Sequence, residues 1–175
     1  INHKWPDEPD HEPLLNAIQV LQDGSQEELA QVFDVEGVLT YLAGNVVLAS
    51  FDSYAITGHN YYLYEAKPKQ FNMLPWDLNG SLDPGATNLC TPHQGLLSGR
   101  LLEDPNNAEL YIDIVDEFLQ TAGSDDALFE RFDQAYGLVG SEFEENHWNE
   151  LEEQILNRSA SLEDELANDA GCSVD

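Results

Sequence analysis

Two aspartates in the middle of the chain stand in unusually apolar surroundings. Asp52 follows the mostly apolar residues 48–51, and Asp77 comes directly after Trp76. A carboxylate in such surroundings needs a compensating partner, because removing its charge from water is costly. A cation, a cluster of backbone N–H groups or a metal ion would each serve. These two residues are therefore the first candidates for a functional site.

A predicted β-hairpin between the two aspartates would bring them together. Strong β-forming residues occupy 60–66 and 70–76, and the turn sequence Lys67-Pro68-Lys69 separates them. Because a hairpin places its two ends side by side, the loop before its first strand and the loop after its second should be adjacent. Carboxylate and amide oxygens gathered there would suit hard cations such as Mg²⁺ or Ca²⁺. The residues that can converge in this way are Asp52, His59, Asn60, Asp77 and Asn79.

Two other interpretations of these residues remain open. The aspartates can cap turns by accepting hydrogen bonds from the backbone, as turn aspartates commonly do. Alternatively, the alternating oxygen side chains that begin at Asp77 and end at Asp83 resemble the first half of a calcium loop. That loop lacks glycine at its sixth position, and Asn88 stands where a bidentate glutamate is required.

Helical patterns flank the hairpin on both sides, which predicts an α+β, mostly helical fold with a central β-hairpin. Ser25 with Glu28 forms a capping box, and Asp34, Asp104 and Ser124 are further N-cap candidates. Turn-rich segments 53–59 and 80–98 are predicted as loops, and residues 1–12 as an extended lead-in. The whole of 1–175 is expected to be a single domain. The predicted helices cover 13–23, 29–33 and 35–50 before the hairpin, and 105–123, 124–136 and a segment from about 141 after it.

Composition excludes several classes of function. The chain has 34 acidic and 6 basic residues, for a net charge of −28. That charge argues against binding nucleic acid or an anionic membrane through a basic surface. With 42% hydrophobic residues the chain is nevertheless not a disordered acidic tail. No apolar run approaches the roughly 20 residues of a membrane span.

The ends of the chain and its cysteines are less informative. The sequence opens with Ile1 and has no initiator methionine, which indicates a mature or excised segment. Cys90 and Cys172 are either one long-range disulfide or two unrelated thiols. The sequence has no cluster of cysteines and histidines, so it does not predict a zinc site.

The central motifs form an ordered pattern. An aspartate loop (Asp52-Ser53-Tyr54) is followed by an aromatic strand (59–64, HNYYLY) and a Pro-Trp-Asp segment (75–79, PWDLN). This pattern resembles the CotH family, spore-coat-protein-H-like proteins regarded as atypical, secreted or surface-associated protein kinases. The helix that begins at Asp34, and the region from Leu101 onwards, are also similar to that family. The resemblance implies a kinase C-lobe-like fold and Mg²⁺- and ATP-dependent phosphoryl transfer to Ser or Thr of extracytoplasmic or coat proteins. It also implies an extracellular or cell-surface location; Ca²⁺, which the oxygen-rich residues would equally suit, is the alternative ion.

The same resemblance assigns a role to each central residue. Asp52 would be the catalytic-loop aspartate, which accepts the hydroxyl proton or orients the acceptor. Asn60 would lie near the metal and the nucleotide, with His59 beside it on the cofactor side. Asp77 would replace the metal-binding aspartate of the kinase DFG element. Asn79 would be a further metal position, where many relatives carry an acidic residue.

No segment of the chain resembles a kinase N-lobe. There is no glycine-rich cover over the phosphates, and Lys67 and Lys69 lie in a hairpin turn rather than in a strand. The chain therefore resembles the C-terminal half of a CotH-like kinase domain. Its expected partners are a protein substrate and the missing N-lobe or the rest of the parent chain. The alternative function, which Asn79 and the absent N-lobe favour, is a non-catalytic surface adhesion or structural module, or a calcium-binding module.

Overall fold

The structure is a computed structural model and describes residues 10–83, 87–140 and 145–168. Helices account for most of these residues, and a two-stranded antiparallel sheet lies between the fourth and fifth helices in sequence. The predicted α+β, mostly helical class with a central hairpin is therefore confirmed, while its likeness to a kinase C-lobe stays a prediction. The helices are α1 (Glu12–Asp23), α2 (Gln26–Val32), α3 (Val35–Val47), α4 (Tyr54–Thr57), α5 (Leu96–Leu102), α6 (Pro105–Gln120), α7 (Asp125–Val139) and α8 (Glu145–Ala167), and the strands are β1 (Tyr61–Lys67) and β2 (Gln70–Pro75).

The helix starts that the sequence marked are confirmed. Ser25 and Glu28 form both bonds of the capping box at the start of α2, with the Ser25 N–H donating to Glu28 Oε2 at 2.8 Å. Asp34 caps α3 by accepting from the Gly37 N–H, and Asp104 and Ser124 cap α6 and α7 in the same way. Each cap satisfies an N–H group that the first helical turn leaves without a partner.

Helix α3 is the centre of the core. Its residues Val38, Leu39, Leu42 and Val46 have no exposed surface, and the helix packs against α6, β2, α5 and α8. Contact with β2 is close, because a β-carbon at Gly37 would lie 2.2 Å from the Asn72 side-chain nitrogen. The Asp34 N–H also donates to the Phe71 carbonyl at 2.8 Å, which fixes the start of α3 against β2.

The hairpin is amphipathic in the way that strand alternation predicts. Phe71 and Met73 of β2 are buried in the core. On the opposite face, Tyr62 pairs with Leu74, and the Tyr62 ring makes an edge-to-face contact with Trp76 at 5.4 Å between centroids. These three side chains are exposed, so the hairpin presents an apolar face to solvent.

Both predicted loops contain short helices. Residues 54–57 form α4, which ends at Gly58 with φ 71°, and α5 begins inside the predicted 80–98 loop. The two helices support each other, since the Leu97 N–H donates to the Tyr54 hydroxyl at 2.8 Å and both Ala55 and Leu97 are buried. Tertiary packing of this kind, rather than local periodicity, stabilises helices of one or two turns.

The remaining sequence expectations have mixed outcomes. Cys90 is disulfide-bonded, and Cys172, the other cysteine of the sequence, lies outside the described residues. The lead-in 1–12 is mostly outside them too, although Glu12 already belongs to α1. None of the helices in the described ranges combines the length and the hydropathy needed to cross a bilayer.

Candidate functional site

Asp52 is positioned by the end of α3 and by the segment that follows the hairpin. The chain leaves α3 through Ala49, which has a left-handed backbone at φ 46°. Two backbone bonds then hold it against the later segment, from Phe51 N–H to the Gly80 carbonyl at 3.1 Å and from Leu82 N–H to the Leu48 carbonyl at 2.7 Å. Asp52 therefore projects from a fixed backbone, although it belongs to no helix or strand.

Three side chains of the segment that follows, residues 57–60, lie near the Asp52 carboxylate. Thr57 Oγ1 donates to Oδ1 at 2.7 Å, and Asn60 Nδ2 donates to Oδ2 at 2.9 Å. His59 Nδ1 lies 3.7 Å from Oδ1, which is beyond normal hydrogen-bond length, and its side chain is 72% exposed. The Asp52 side chain itself is 36% exposed. The carboxylate is thus oriented on both oxygens and still accessible from solvent.

Asn60 connects Asp52 to the far end of the hairpin. Its Nδ2 also donates to the Asp52 backbone carbonyl at 2.8 Å, and its own carbonyl accepts from the Trp76 N–H at 3.1 Å. Its backbone is left-handed at φ 56°, a conformation that asparagine tolerates better than most residues. Within the described ranges no donor reaches its side-chain oxygen Oδ1, which is therefore open to a ligand.

Asp77 and Asn79 lie on the exposed segment after β2. Asp77 has a left-handed backbone at φ 50° and precedes a 3₁₀ turn at Leu78–Gly80. Both side chains are exposed, and the Asp77 carboxylate accepts no hydrogen bond from any described residue. The end of this turn approaches Asp52, since a β-carbon at Gly80 would lie 2.8 Å from a Phe51 ring carbon and 3.6 Å from the Asp52 β-carbon.

The structure thus brings the segments of the predicted site together. Asp52, His59 and Asn60 form one contact group, and the backbone of Asn60 joins that group to the Trp76–Asp77 segment. Asp77 and Asn79 make no side-chain contact with the group. The predicted meeting of the Asp52 and Asp77 carboxylates around one ion stays a prediction.

The oxygen atoms of Asp77 and Asn60 would suit a magnesium ion that also binds nucleotide phosphates. They are too few to enclose a metal ion by themselves. Among the described residues, no three His, Cys, Asp or Glu side chains are grouped so that they could hold a metal by themselves. Mg²⁺ is usually held by only one or two carboxylates, with substrate phosphates and water completing its coordination. The unpaired carboxylate of Asp77 and the open Oδ1 of Asn60 fit that pattern.

The perturbed titratable groups near the site are structural. Burial raises the pKa of the Tyr54 hydroxyl, which accepts the Leu97 N–H bond and supports α4. Burial also raises the pKa of the Tyr41 hydroxyl on α3. Neither phenol ionises at neutral pH, so neither supplies a base.

Sequence reasoning missed two features of this region. Thr57 was part of a predicted loop, and no motif identified its hydroxyl as a partner of Asp52. An open cavity of about 570 Å³ also went unnoticed, because its walls come from elements far apart in sequence. Its volume is in the usual range for ligand pockets, and Pro75 and Leu78 at one end flank Asp77, but no predicted site residue lines it. The lining residues are Asp34, Glu36, Gly37, Thr40, Tyr41, Gly44, Asn45, Leu48, Asn72, Met73, Pro75, Leu78 and Phe118.

Comparison with known proteins gives one positive result. Residues 3–168 match the family described as CotH kinase protein, which covers nearly the whole chain. No curated protein and no solved structure matches the chain.

Proposed function

Because the chain belongs to the CotH kinase family, we propose that it is the C-lobe part of an atypical protein serine/threonine kinase. The proposed reaction is Mg²⁺- and ATP-dependent phosphoryl transfer to Ser or Thr of an extracytoplasmic or coat protein. The family, named for a spore-coat protein, supports a location outside the cell or at its surface. The observation that carries the proposal is the pair of hydrogen bonds from the Asn60 amide to Asp52.

The Asn60 side-chain amide has both a donor for Asp52 and an acceptor for a metal ion, as a kinase catalytic loop requires. Its Nδ2 donates to both the carboxylate and the backbone carbonyl of Asp52, while its Oδ1 is open to a ligand. In protein kinases the catalytic-loop aspartate accepts the substrate hydroxyl proton, and the loop asparagine binds a metal ion. Asn60 can hold Asp52 through its Nδ2 and bind the metal ion through its Oδ1. It follows Asp52 at a longer interval than the corresponding asparagine does in ordinary kinases.

Asp52 is the proposed catalytic residue. Phosphoryl transfer needs little covalent chemistry from the protein, so catalysis depends on positioning and on electrostatic stabilisation. A carboxylate that is held by donors on both oxygens, yet is exposed to solvent, can accept a hydrogen bond from an incoming hydroxyl. That hydroxyl would belong to a serine or threonine of the protein substrate.

Asp77, Asn60 and Asn79 are the proposed metal ligands, and His59 with Asn60 is proposed to contact the nucleotide. Asp77 has a carboxylate without a partner in the described part of the chain, and the exposed His59 ring lies 3.7 Å from the Asp52 carboxylate. Bound Mg²⁺ would neutralise part of the negative charge on the nucleotide phosphates. The rest of the nucleotide site is proposed to come from an N-lobe or another part of the parent protein.

The test is transfer of radiolabelled phosphate from ATP by the full-length protein. Replacing Asp52 by Asn, or Asp77 by Asn, keeps the shape of each side chain and removes its charge. We expect each change to lower the rate at least about 100-fold, the usual contribution of a positioned acid–base or metal-binding group. Asp113→Asn is the matched control, because Asp113 is an exposed α6 residue that makes no hydrogen bond or ion pair through its side chain with any described residue.

A binding measurement separates loss of the site from loss of the fold. Mg²⁺ with ATP should raise the melting temperature of the wild-type protein, because a ligand that binds only the folded state stabilises it. Asp77→Asn should remove that rise without lowering the melting temperature of the free protein. Equal phosphate transfer by wild type, Asp52→Asn and Asp77→Asn would reject the kinase assignment.

A non-catalytic surface module is the second candidate function. It is favoured by the exposed apolar face of the hairpin, where Tyr62, Leu74 and Trp76 are 52%, 43% and 56% exposed. Contiguous exposed apolar side chains often mark interaction surfaces. If the aspartate variants lose no activity relative to wild type, this face becomes the leading candidate for the function of the chain.

A further inference from the structure

We infer that Thr57 is a positioning residue for Asp52, and that its hydroxyl fixes the orientation in which the carboxylate meets the substrate hydroxyl. This inference rests on the proposed function. It begins from the short bond between Thr57 Oγ1 and Asp52 Oδ1, 2.7 Å long.

The Thr57 hydroxyl has two acceptors in reach and one proton to give. Asp52 Oδ1 lies at 2.7 Å, and the carbonyl of Ser53, four residues earlier, lies at 3.1 Å. A bond to a carboxylate is shorter and roughly twice as strong as a bond to a neutral carbonyl. The hydroxyl proton therefore points to Asp52, and the Ser53 contact is secondary.

Thr57 and Asn60 together prevent rotation of the carboxylate. Thr57 holds Oδ1 and Asn60 holds Oδ2, so turning the carboxylate about its Cβ–Cγ bond would break both bonds. Asn60 alone would leave Oδ1 without a hydrogen bond from the described residues, since His59 is 3.7 Å away. A catalytic group must be held within about 0.5 Å and 10–20° of its productive geometry, and a second donor is the usual way to hold it.

Helix α4 supplies the rigid support that this role needs. Thr57 is its last residue, and Gly58 closes the helix with a left-handed backbone and an N–H bond to the Tyr54 carbonyl at 3.2 Å. Tyr54 in turn accepts the Leu97 N–H at 2.8 Å and makes an edge-to-face contact with Tyr61 at 5.1 Å. The Thr57 hydroxyl is thus connected to α5 and to the first strand.

The substitution that tests the inference is Thr57→Val, which keeps the branched shape and removes the hydroxyl. We expect kcat for phosphate transfer to fall about ten- to a hundredfold, because small losses of alignment are costly in transfer reactions. KM should stay within about threefold, since ground-state binding does not use this bond. Thr57→Ser restores the donor and should return kcat to near the wild-type value.

The control is Thr121→Val, at an exposed threonine whose hydroxyl donates only to the carbonyl four residues earlier, at 2.6 Å. It should leave kcat and KM unchanged. If Thr57→Val is as active as wild type, or if Thr57→Ser is as impaired as Thr57→Val, the positioning role is rejected.

A second measurement does not depend on activity. The side-chain amide signals of Asn60 in a ¹H–¹⁵N spectrum report on its bond to Asp52. They should shift in Thr57→Val, because the released carboxylate turns, and remain in place in Thr57→Ser and Thr121→Val. A wild-type protein that transfers no phosphate would reject the proposed function, and unchanged Asn60 signals in Thr57→Val would separately reject the role of Thr57.

Discussion

Asn60 and Asp77 carry left-handed backbone conformations at the two facing ends of the hairpin, at φ 56° and φ 50°. Non-glycine residues in this region are strained, and such residues are concentrated at functional sites. Asparagine and aspartate bear the conformation at lower cost than other residues with a β-carbon. Both positions carry a side chain, although glycine would adopt this backbone at no steric cost.

The strain at Asp77 can be separated from its proposed chemistry by two substitutions. Asp77→Gly and Asp77→Ala both remove the carboxylate, and both should abolish phosphate transfer. Asp77→Gly should be more stable than Asp77→Ala by about 1 kcal/mol, because only glycine adopts a left-handed backbone without a steric penalty. Urea denaturation of the two variants measures the difference, and equal stabilities would contradict the strain at this position.

His93 gives a prediction for pH dependence. Its Nδ1 atom is buried and has no hydrogen-bond partner among the described residues, and burial lowers the pKa of its imidazole below the ordinary value of 6.5. The unfolded chain then binds a proton at a higher pH than the folded one, so the free energy of unfolding falls as the pH drops below about 6.5. Replacing His93 by Gln removes this titration.

The comparison needed is between wild type and His93→Gln over the same pH range. The large acidic charge changes the stability of both proteins alike, so only the difference between the two curves is informative. Wild type should lose stability relative to His93→Gln between about pH 7 and pH 5, where an ordinary histidine takes up its proton. A constant difference across that range would show that His93 titrates normally in the folded protein.

How well the site residues could be predicted depended on the kind of bond each one makes. Asp52, His59 and Asn60 were identifiable because polar residues beside apolar and aromatic neighbours form a recognisable pattern. Thr57 was not identifiable from the sequence, because its contact depends on α4, whose single turn places the Thr57 hydroxyl beside the Asp52 carboxylate. The contact of Gly80 with Phe51 could not be predicted from the sequence either, because it depends on how the segments before and after the hairpin pack together.

At the scale of elements, α8 is joined to the end of α3 by a buried arginine. Arg158 is only 6% exposed. Its Nε and Nη2 donate to the Val46 carbonyl at 3.1 and 2.6 Å, while Nη1 and Nη2 donate to the carbonyl and hydroxyl of Thr87 at 2.8 and 2.9 Å. A cation at a helix C-terminus is favourable, because unpaired carbonyls there carry partial negative charge. This contact holds the end of α3 from which Asp52 emerges.

Removing this guanidinium should destabilise the whole fold. Arg158→Met keeps much of the apolar stem but leaves the buried Thr87 carbonyl without its donor, whereas the Val46 carbonyl still accepts from the Ala49 N–H at 3.0 Å. We expect a loss of about 1–3 kcal/mol in the free energy of unfolding, the usual cost of one buried unsatisfied group. Burial lowers the pKa of Arg158 and the nearby Glu165 carboxylate opposes that shift, so the side chain remains charged across the usual range.

Arg131→Met provides the comparison for Arg158→Met. Arg131 is exposed on α7 and has no hydrogen bond or ion pair within the described residues, so its replacement should change stability by no more than about 0.5 kcal/mol. Denaturant midpoints of the two variants measure both effects. Similar midpoints would mean that the bonds of Arg158 contribute little.

The elements themselves were predicted unequally, for a physical reason. Helices with a side-chain cap, such as α2, or with a cap and several turns of apolar periodicity, such as α3 and α6, were placed within a few residues. α4 and α5 were missed because they are short and lack a side-chain cap, and because contacts between them, centred on Tyr54 and Leu97, stabilise them. The apolar stripe expected on α1 is real in sequence, yet Leu15 and Ile18 are exposed and only Ala17 is buried.

On the scale of the whole molecule, the acidic charge is large, and within the described residues few carboxylates have a cationic partner. The sequence carries 34 acidic against 6 basic residues. Between described residues, no lysine or arginine lies within 4 Å of a carboxylate, and the pair of His59 with Asp52 at 3.7 Å exists only when the imidazole is protonated. Repulsion among so many exposed carboxylates opposes the compact state.

Salt should therefore stabilise this protein. Raising NaCl from about 0.05 M to 0.5 M shortens the screening length from roughly 14 Å to about 4 Å, which weakens repulsion between neighbouring carboxylates. Because attractive ion pairs are nearly absent from the described residues, screening removes little that is favourable, and the melting temperature should rise by several degrees. Near pH 4, where many carboxylates are protonated, the same increase in salt should have a smaller effect. A melting temperature that falls with salt at neutral pH would mean that favourable charge pairs, rather than repulsion, dominate the electrostatics of the folded chain.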